Sequence, residues 1–301
     1  VNLKSWIQRQ KRYDLAFVAL SVMLLLFAGL VLFGLVADLA LRGVPRLSWD
    51  FLSSFPSRFA EKAGVLSAWV GTLLVMGVTA LAAIPLGVAA GVYLEEYAKR
   101  NRLTTIIEVN IANLAGVPSI VFGLMALGIF VYKLSLGQSI LTAGLTLGLL
   151  VLPIIIVTTR ESIRAVPQNI REGAFALGAT KWQMIFHHVL PYSRGGILTG
   201  IIIALSRAIG ETAPLITIGA LTFIAFLPPP PIQSELPFVN TDWLFSPFTV
   251  MPIQMFNWIS RPIQDFHVNA AAAGVLLLMI TLSMNALAIF LRYRFRKWVR
   301  W

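Results

Sequence analysis

From Ala63 to Leu94 the chain runs without a charged residue, and comparable apolar stretches recur at Leu15 to Ala37, Asn110 to Tyr132, Ser139 to Thr159, Gly195 to Phe226 and Ala270 to Leu291. A helix needs about 20 apolar residues to cross the roughly 30 Å of bilayer hydrocarbon. Each stretch meets that length, and a spanning segment must satisfy its backbone internally, so the expected fold is an all-α integral membrane bundle of six helices. Only 12% of residues are charged and 57% are hydrophobic, which excludes an ordinary soluble domain. Pro85, Pro118 and Pro153 fall inside these stretches and are tolerable there, because neighbouring helices and water re-satisfy the freed carbonyls. The first stretch is too long for the apolar core of a signal peptide and reads as a retained span. There is no cysteine, hence no disulfide and no thiolate metal site.

The net charge of +11 sits in the tails and between the spans, which is a topological pattern and not a nucleic-acid footprint. The N-terminal tail (Lys4, Arg9, Lys11, Arg12), the loop from Glu95 to Glu108, the loop from Arg160 to Arg194 and the C-terminal tail carry four, three, five and five Lys and Arg. The alternating loops carry four, one and one. The positive-inside rule then places both termini in the cytoplasm. The first outer loop, with four cations, fits least well. No inverted repeat relates the two halves, so a secondary-carrier plan gains no support.

Two segments depart from plain apolar spans. In the first, Glu172, Gly173, Ala174 and Gly178 precede Leu190 and Pro191, which reads as a helix stop. Phe175, Ala179, Trp182 and Phe186 recur at helical spacing, predicting an amphipathic helix from Arg171 to Thr180 or beyond. Such a helix either lies on lipid or docks another protein. In the second, Arg207 and Glu211 interrupt an apolar run, four residues apart and able to meet on one helical face. Either charge at the bilayer centre costs about 2.5–3.5 kcal/mol unless paired or wet. One reading is a structural ion pair; the other has Arg207 offering a planar donor fork to an oxyanion, with Glu211 holding it when the site is empty. Ser206 and Thr212 flank the pair and are expected to line the substrate pathway with it. Gly210 and Pro214 are expected to loosen the helix there. Pro118 and Ser119 mark either an irregular turn beside a pathway or a simple kink.

Several other features have ordinary explanations. His187 and His188 are adjacent, point about 100° apart on a helix and lack a third ligand, so no metal site is expected. Lys133, Arg160 and Arg164 read as span-end charges that snorkel. Trp243, Phe245, Phe248, Phe256 and Trp258 read as an interfacial belt. No G-x-x-x-x-G-K-[ST] run occurs, so the chain is not itself an ATPase.

The spacing of Glu172, Gly173, Ala174, Gly178, Leu190 and Pro191 resembles the EAA loop of binding-protein-dependent ABC importer permeases, with Gly173 where that motif has alanine. The resemblance implies a type I importer permease fold in which five core spans follow one extra N-terminal span. Residues 1–62 would hold the tail, the extra helix and the first outer loop. Residues 63–294 would form the core, with a coupling loop at 160–194 and an outer loop at 227–269, and residues 295–301 a basic tail. It further implies that Glu172 to Gly178 couples to a cytoplasmic ATPase pair, which alone uses ATP and Mg, and that an external binding protein delivers the substrate. The outer-loop aromatics would then be an alternative docking surface for that binding protein. Within the family, Ser206 to Pro214 (SRAIGETAP), Val117 to Leu124 and Asn257 to Pro262 resemble the phosphate permeases, the last segment the PstA-type subunit. That implies a heterodimer with a homologous PstC-type permease and phosphate as substrate, with sulfate or molybdate as the nearest alternatives. An ATP-independent channel or carrier is the alternative from another class.

Overall fold

The computed structural model describes residues 3–99, 101–232 and 240–296; of the basic tail expected at 295–301, residues 297–301 lie outside them. Among the described residues, five helices are long and apolar enough to cross a membrane, and six if one bent pair counts as a span. They are α1 (Leu3–Gly43), α3 (Leu66–Val92), α6 (Ile140–Arg164), α9 (Leu190–Gly210) and α12 (Gln264–Arg296). Short helices α2 (Trp49–Ser53), α7 (Gln168–Ala176), α8 (Lys181–Met184), α10 (Ala213–Thr217) and α11 (Met251–Ile259) connect or decorate them. The bent pair is α4 (Arg102–Leu114) and α5 (Ser119–Ala126), the latter extended by a π-turn at Leu127–Lys133.

The centre of the bundle is α6, flanked by α3 and α9. Lipid is as apolar as leucine, so helices in a membrane associate through close packing and polar contacts, and small residues make the approach possible. A Cβ added at Gly87 would stand 2.6 Å from Ile155 Cγ2, and one at Gly91 would stand 2.7 Å from Thr159 Cγ2. On an adjoining stripe of α6, Gly196 lies against Ser162 and Gly200 against Thr158, where an added Cβ would be 2.9 and 2.5 Å from the facing Cβ. Thr79 Oγ1 reinforces the first seam by reaching the Gly144 carbonyl at 3.2 Å. Val75, Leu147, Val151, Ile155, Ala204 and Ala208 fill the interior. The first helix behaves differently. Most of α1 is exposed, and it joins the bundle only near its end, where Gly43 backs onto the Ala271 carbonyl.

A second core closes the other end of α3. Phe51, Val65, Met251, Trp258 and Phe266 are fully buried there, with Phe51 and Trp258 5.9 Å apart. Arg46 pins this end by donating to Asn269 Oδ1 at 2.8 Å and to the carbonyls of Ala60 (3.2 Å), Glu61 (2.6 Å) and Ala63 (3.3 Å).

Four expectations change. The third span is not one helix: α4 begins at Arg102, inside the stretch read as a charged loop, and turns 107° before α5. Pro118, with ψ 134°, cannot continue a helix, and Ser119 starts the next one. The stretch read as an outer loop at 227–269 contains α11, and its Phe248 and Trp258 are core side chains, not part of an interfacial belt. Gln254 completes that core, its amide donating to the Thr222 carbonyl at 3.2 Å and accepting from Trp258 Nε1 at 3.0 Å. Leu190–Pro191 is not a stop either, since helix runs from Lys181 to Gly210. The ladder widens to a π-turn over Ile185–Val189, with Leu190 N–H donating to the Ile185 carbonyl, and this relieves the clash that Pro191 would otherwise make. Finally, the helix predicted from Arg171 to Thr180 ends at Ala176.

Candidate functional site

Arg207 occupies the last turn of α9, beyond which the chain leaves the helix. Glu211 is extended (φ −76°, ψ 125°), and helix resumes only in α10, with Pro214 in its first turn. The expected loosening at Gly210 and Pro214 is therefore a true break. Arg207 Nε donates to Glu211 Oε1 at 3.3 Å, with the arginine side chain 42% exposed and the glutamate 19%. This one hydrogen bond leaves the terminal nitrogens of the donor fork out of the pairing. The following residues, Ala208 and Ile209, line a small cavity with Leu147 and Val75, so this turn of α9 packs beside α3 and α6. Ser206 points elsewhere: its hydroxyl lies 2.7 Å from the Ile202 carbonyl and 2.6 Å from Asn285 Oδ1 on α12. The backbone carbonyl of Thr212 accepts from Leu215 and Ile216 and starts α10. Of the bent pair, the structure brings Gly123 against Pro214 and the Thr217 side chain, with an added Cβ 2.7 Å from Pro214 Cα. Pro118 and Ser119 lie one turn back along α5, at the bend.

The second candidate region is the corner between α7 and α8. Gly178 adopts φ +81°, which a side chain disfavours, and its N–H bonds the Phe175 carbonyl at 2.9 Å while Ala179 N–H bonds the Ala174 carbonyl at 3.0 Å. These two bonds cap α7 in the way glycine-terminated helices are capped. Thr180 then opens α8 with a capping box closed by Gln183. Ala174, Met184, Ile185 and Val189 form a small buried core beneath this corner. The stripe expected to be one apolar face is mostly outward: Phe175, Trp182 and Phe186 are exposed, and Leu177 is 89% exposed. A groove of about 240 Å³ runs beside it, lined by Ile170, Gly173, Ala174, Leu177, His188 and Tyr192. Gly173 has no atom within 4 Å of an added Cβ, so an alanine would fit there. Glu172 is exposed. Pro191 opens α9 on the far side of the π-turn.

A charged network holds this corner to the bundle. Glu95 and Glu96 project from a π-turn (Tyr93–Tyr97) at the end of α3. Arg171 of α7 donates to Glu96 at 3.0 Å and to the carbonyls of Ile163 (2.8 Å) and Val166 (2.6 Å). Arg164 grips Glu95 with Nε and Nη2 at 3.1 and 3.0 Å. Arg160 reaches Glu108 on α4 at 2.8 Å and Glu95 at 3.6 Å. Arg160 and Arg164 are thus not snorkelling charges but cross-links between helices.

Residues 83–301 match the family described as the binding-protein-dependent transport system inner membrane component. The chain belongs to that family. Its relatives include the phosphate transport system permease protein PstA of Haemophilus influenzae, 33% identical over 255 residues that cover 85% of this chain and 84% of the relative. PstA of Yersinia pestis is 33% identical over 297 residues, covering 98% and 92%. The probable ABC transporter permease protein YqgI of Bacillus subtilis is 31% identical over 266 residues, covering 87% and 88%. Among solved structures, an inward-facing conformation of the MetNI methionine ABC transporter superposes with a TM-score of 0.57 at 14% identity, over 75% of this chain and 93% of that one. The fold is that of a type I ABC importer permease, a multi-pass inner membrane component. A subunit of this kind has no ATPase site of its own and works with a separate ATPase and a binding protein.

Sequence reasoning did not single out Asn285, nor the network of Glu95, Glu96, Glu108, Arg160, Arg164 and Arg171 as a unit. A signal for the network existed. Two adjacent acids close an uncharged run, and Arg160 and Arg164 share one helical face at the end of another. Nothing in the sequence said that these ends meet.

Proposed function

We propose that this chain is the PstA-type permease subunit of an ATP-driven phosphate importer and forms half of the translocation pathway. The observation that carries the pathway assignment is the Arg207–Glu211 pair. It is a half-exposed guanidinium in an apolar bundle, held by one hydrogen bond at the point where α9 breaks. An arginine in hydrocarbon needs a partner, and a fork held by Nε alone keeps donors for a tetrahedral oxyanion. Glu211 competes for the same cation, so phosphate is bound weakly enough to be released. The names of the relatives in Haemophilus and Yersinia supply the substrate class.

Both termini and the α7–α8 corner face the cytoplasm in this reading. The outer-loop cation count is less troubling once Arg46 is seen to be locked into the fold by four hydrogen bonds. The exposed Leu177, Phe175 and Trp182 dock on an ATPase dimer, which alone uses ATP and Mg. A PstC-type permease completes the pathway and a periplasmic phosphate-binding protein delivers the ion. The chain itself performs no covalent chemistry. ATP-driven closure of the ATPase pair moves α7, and the charged network passes that movement to α3, α4 and α6.

The test is labelled phosphate uptake in cells lacking their own importer, with the partner subunits co-expressed, comparing the parent chain with Arg207→Gln at equal complex assembly. Uptake that resists excess sulfate and is lost in Arg207→Gln supports the reading. Parent-level uptake by Arg207→Gln makes the arginine structural and removes it from the pathway. Full competition by sulfate removes phosphate as the substrate.

A further inference from the structure

The apolar stretch of α12 from Ala270 to Leu291 contains one carboxamide, Asn285. An amide in hydrocarbon is costly unless it is hydrogen-bonded. Its bond goes across to α9, to Ser206, the residue next to Arg207. Two turns towards the coupling end, Arg292 Nη1 donates to Thr199 Oγ1 at 2.6 Å. Thr199 and Ser206 lie on one stripe of α9, and Asn285 and Arg292 on one stripe of α12, so the two antiparallel helices are stapled twice in register.

This stripe fixes which way α9 faces. Successive residues point about 100° apart, so with Ser206 turned to α12 the Arg207 side chain projects off that contact, towards the exposed side shared with Ile203. On the other flank α9 is held by the close contacts of Gly196 and Gly200 with α6. Of these contacts, the Ser206–Asn285 bond alone is adjacent to Arg207. Side-chain tips lie about 5–6 Å from a helix axis, so about 20° of rotation displaces one by about 2 Å, enough to break a hydrogen bond. Ser206 also has one proton to give. Its hydroxyl lies 2.6 Å from Asn285 Oδ1 and 2.7 Å from the Ile202 carbonyl, so that proton is shared between the two acceptors. The contact ties the last turns of α9 to α12 just ahead of the break after Gly210.

We propose that Asn285 is a positioning residue of the conduit: through Ser206 it sets the rotation of α9 and so aims the Arg207 guanidinium into the pathway. This rests on the assignment of Arg207 to phosphate conduction. The experiment uses the full importer in vesicles loaded with ATP, and measures phosphate taken up per ATP hydrolysed by equal amounts of assembled complex. Asn285→Leu and Ser206→Ala should each lower that ratio about fivefold, the scale of one intramembrane hydrogen bond. Thr281→Val, one turn away on α12 and bonded only to its own helix at the Leu277 carbonyl, should keep the parent ratio. In an Arg207→Lys background, Asn285→Leu should add little, because the group it aims has already been altered. The proposal is overturned if Asn285→Leu keeps the parent ratio while Arg207→Gln is inactive. It is equally overturned if Asn285→Leu multiplies with Arg207→Lys, which would make Asn285 a packing residue. Parent-level transport by Arg207→Gln would instead bring down the conduit assignment, and this proposal with it.

Discussion

The charged network at the α7 corner and the Arg207–Glu211 pair are built in opposite ways. The network at the α3, α6 and α7 ends joins residues far apart in sequence: Arg171 with Glu96, Arg164 with Glu95, Arg160 with Glu108. Its central members are well shielded, with Arg171 and Glu96 side chains 13% and 8% exposed. The pair at Arg207 and Glu211 joins near neighbours on one segment through one hydrogen bond, and its arginine is 42% exposed. A cross-linked, shielded network resists breaking, because losing one partner strands the other charge. A local, open pair can exchange its partner for a passing anion at little cost. The first arrangement suits a part that transmits force, the second a part that must let go.

That contrast is open to attack. Arg171→Met strands Glu96 and frees two carbonyls, and should destabilise the assembled complex by about 3–5 kcal/mol. Thermal unfolding of the purified complex measures it, and an unchanged midpoint would remove the claim that the network holds α7. Gly200→Leu forces a side chain into Thr158 and should cost about 1–3 kcal/mol in the same measurement. A loss of transport with normal unfolding would mean the α6–α9 seam is functional and not structural. Arg207→Lys keeps the charge but loses the planar fork, so stability should hold while phosphate uptake falls about tenfold, equivalent to about 1.4 kcal/mol. Unfolding at a lower temperature would show that the pair is a structural link after all, like the network. Glu108→Gln should have the smallest effect, about 0.5 kcal/mol, because that carboxylate is one-third exposed and Arg160 keeps Glu95 nearby. A larger loss would extend the force-bearing network to α4.

The legibility of the molecule in its sequence follows the range of the interactions involved. Sequence periodicity places Gly178 within a helix reaching Thr180, because periodicity alone does not show the positive φ that ends α7 at Ala176. Arg207 and Glu211 were readable as a pair because residues four apart on one helix meet on one face. The π-turn that carries the helix through Pro191 was not readable, since it depends on Met184, Ile185 and Val189 being held in a small core that keeps the helix continuous. Trp258 and Phe248 look in sequence like aromatics at a membrane surface, and only their packing with Phe51, Met251 and the α3–α6 body makes them core.

By itself, the sequence determined that the chain spans a membrane, where its charges cluster and where α9 is loosened. Each of these follows from transfer free energies or backbone sterics acting over at most one span. Tertiary structure alone decided which charges pair across helices, which face of α9 meets α12, and that the third span is a bent pair laid against α10. Those outcomes depend on how closely small residues let separate helices approach, and that distance is a property of two surfaces meeting and of neither surface alone.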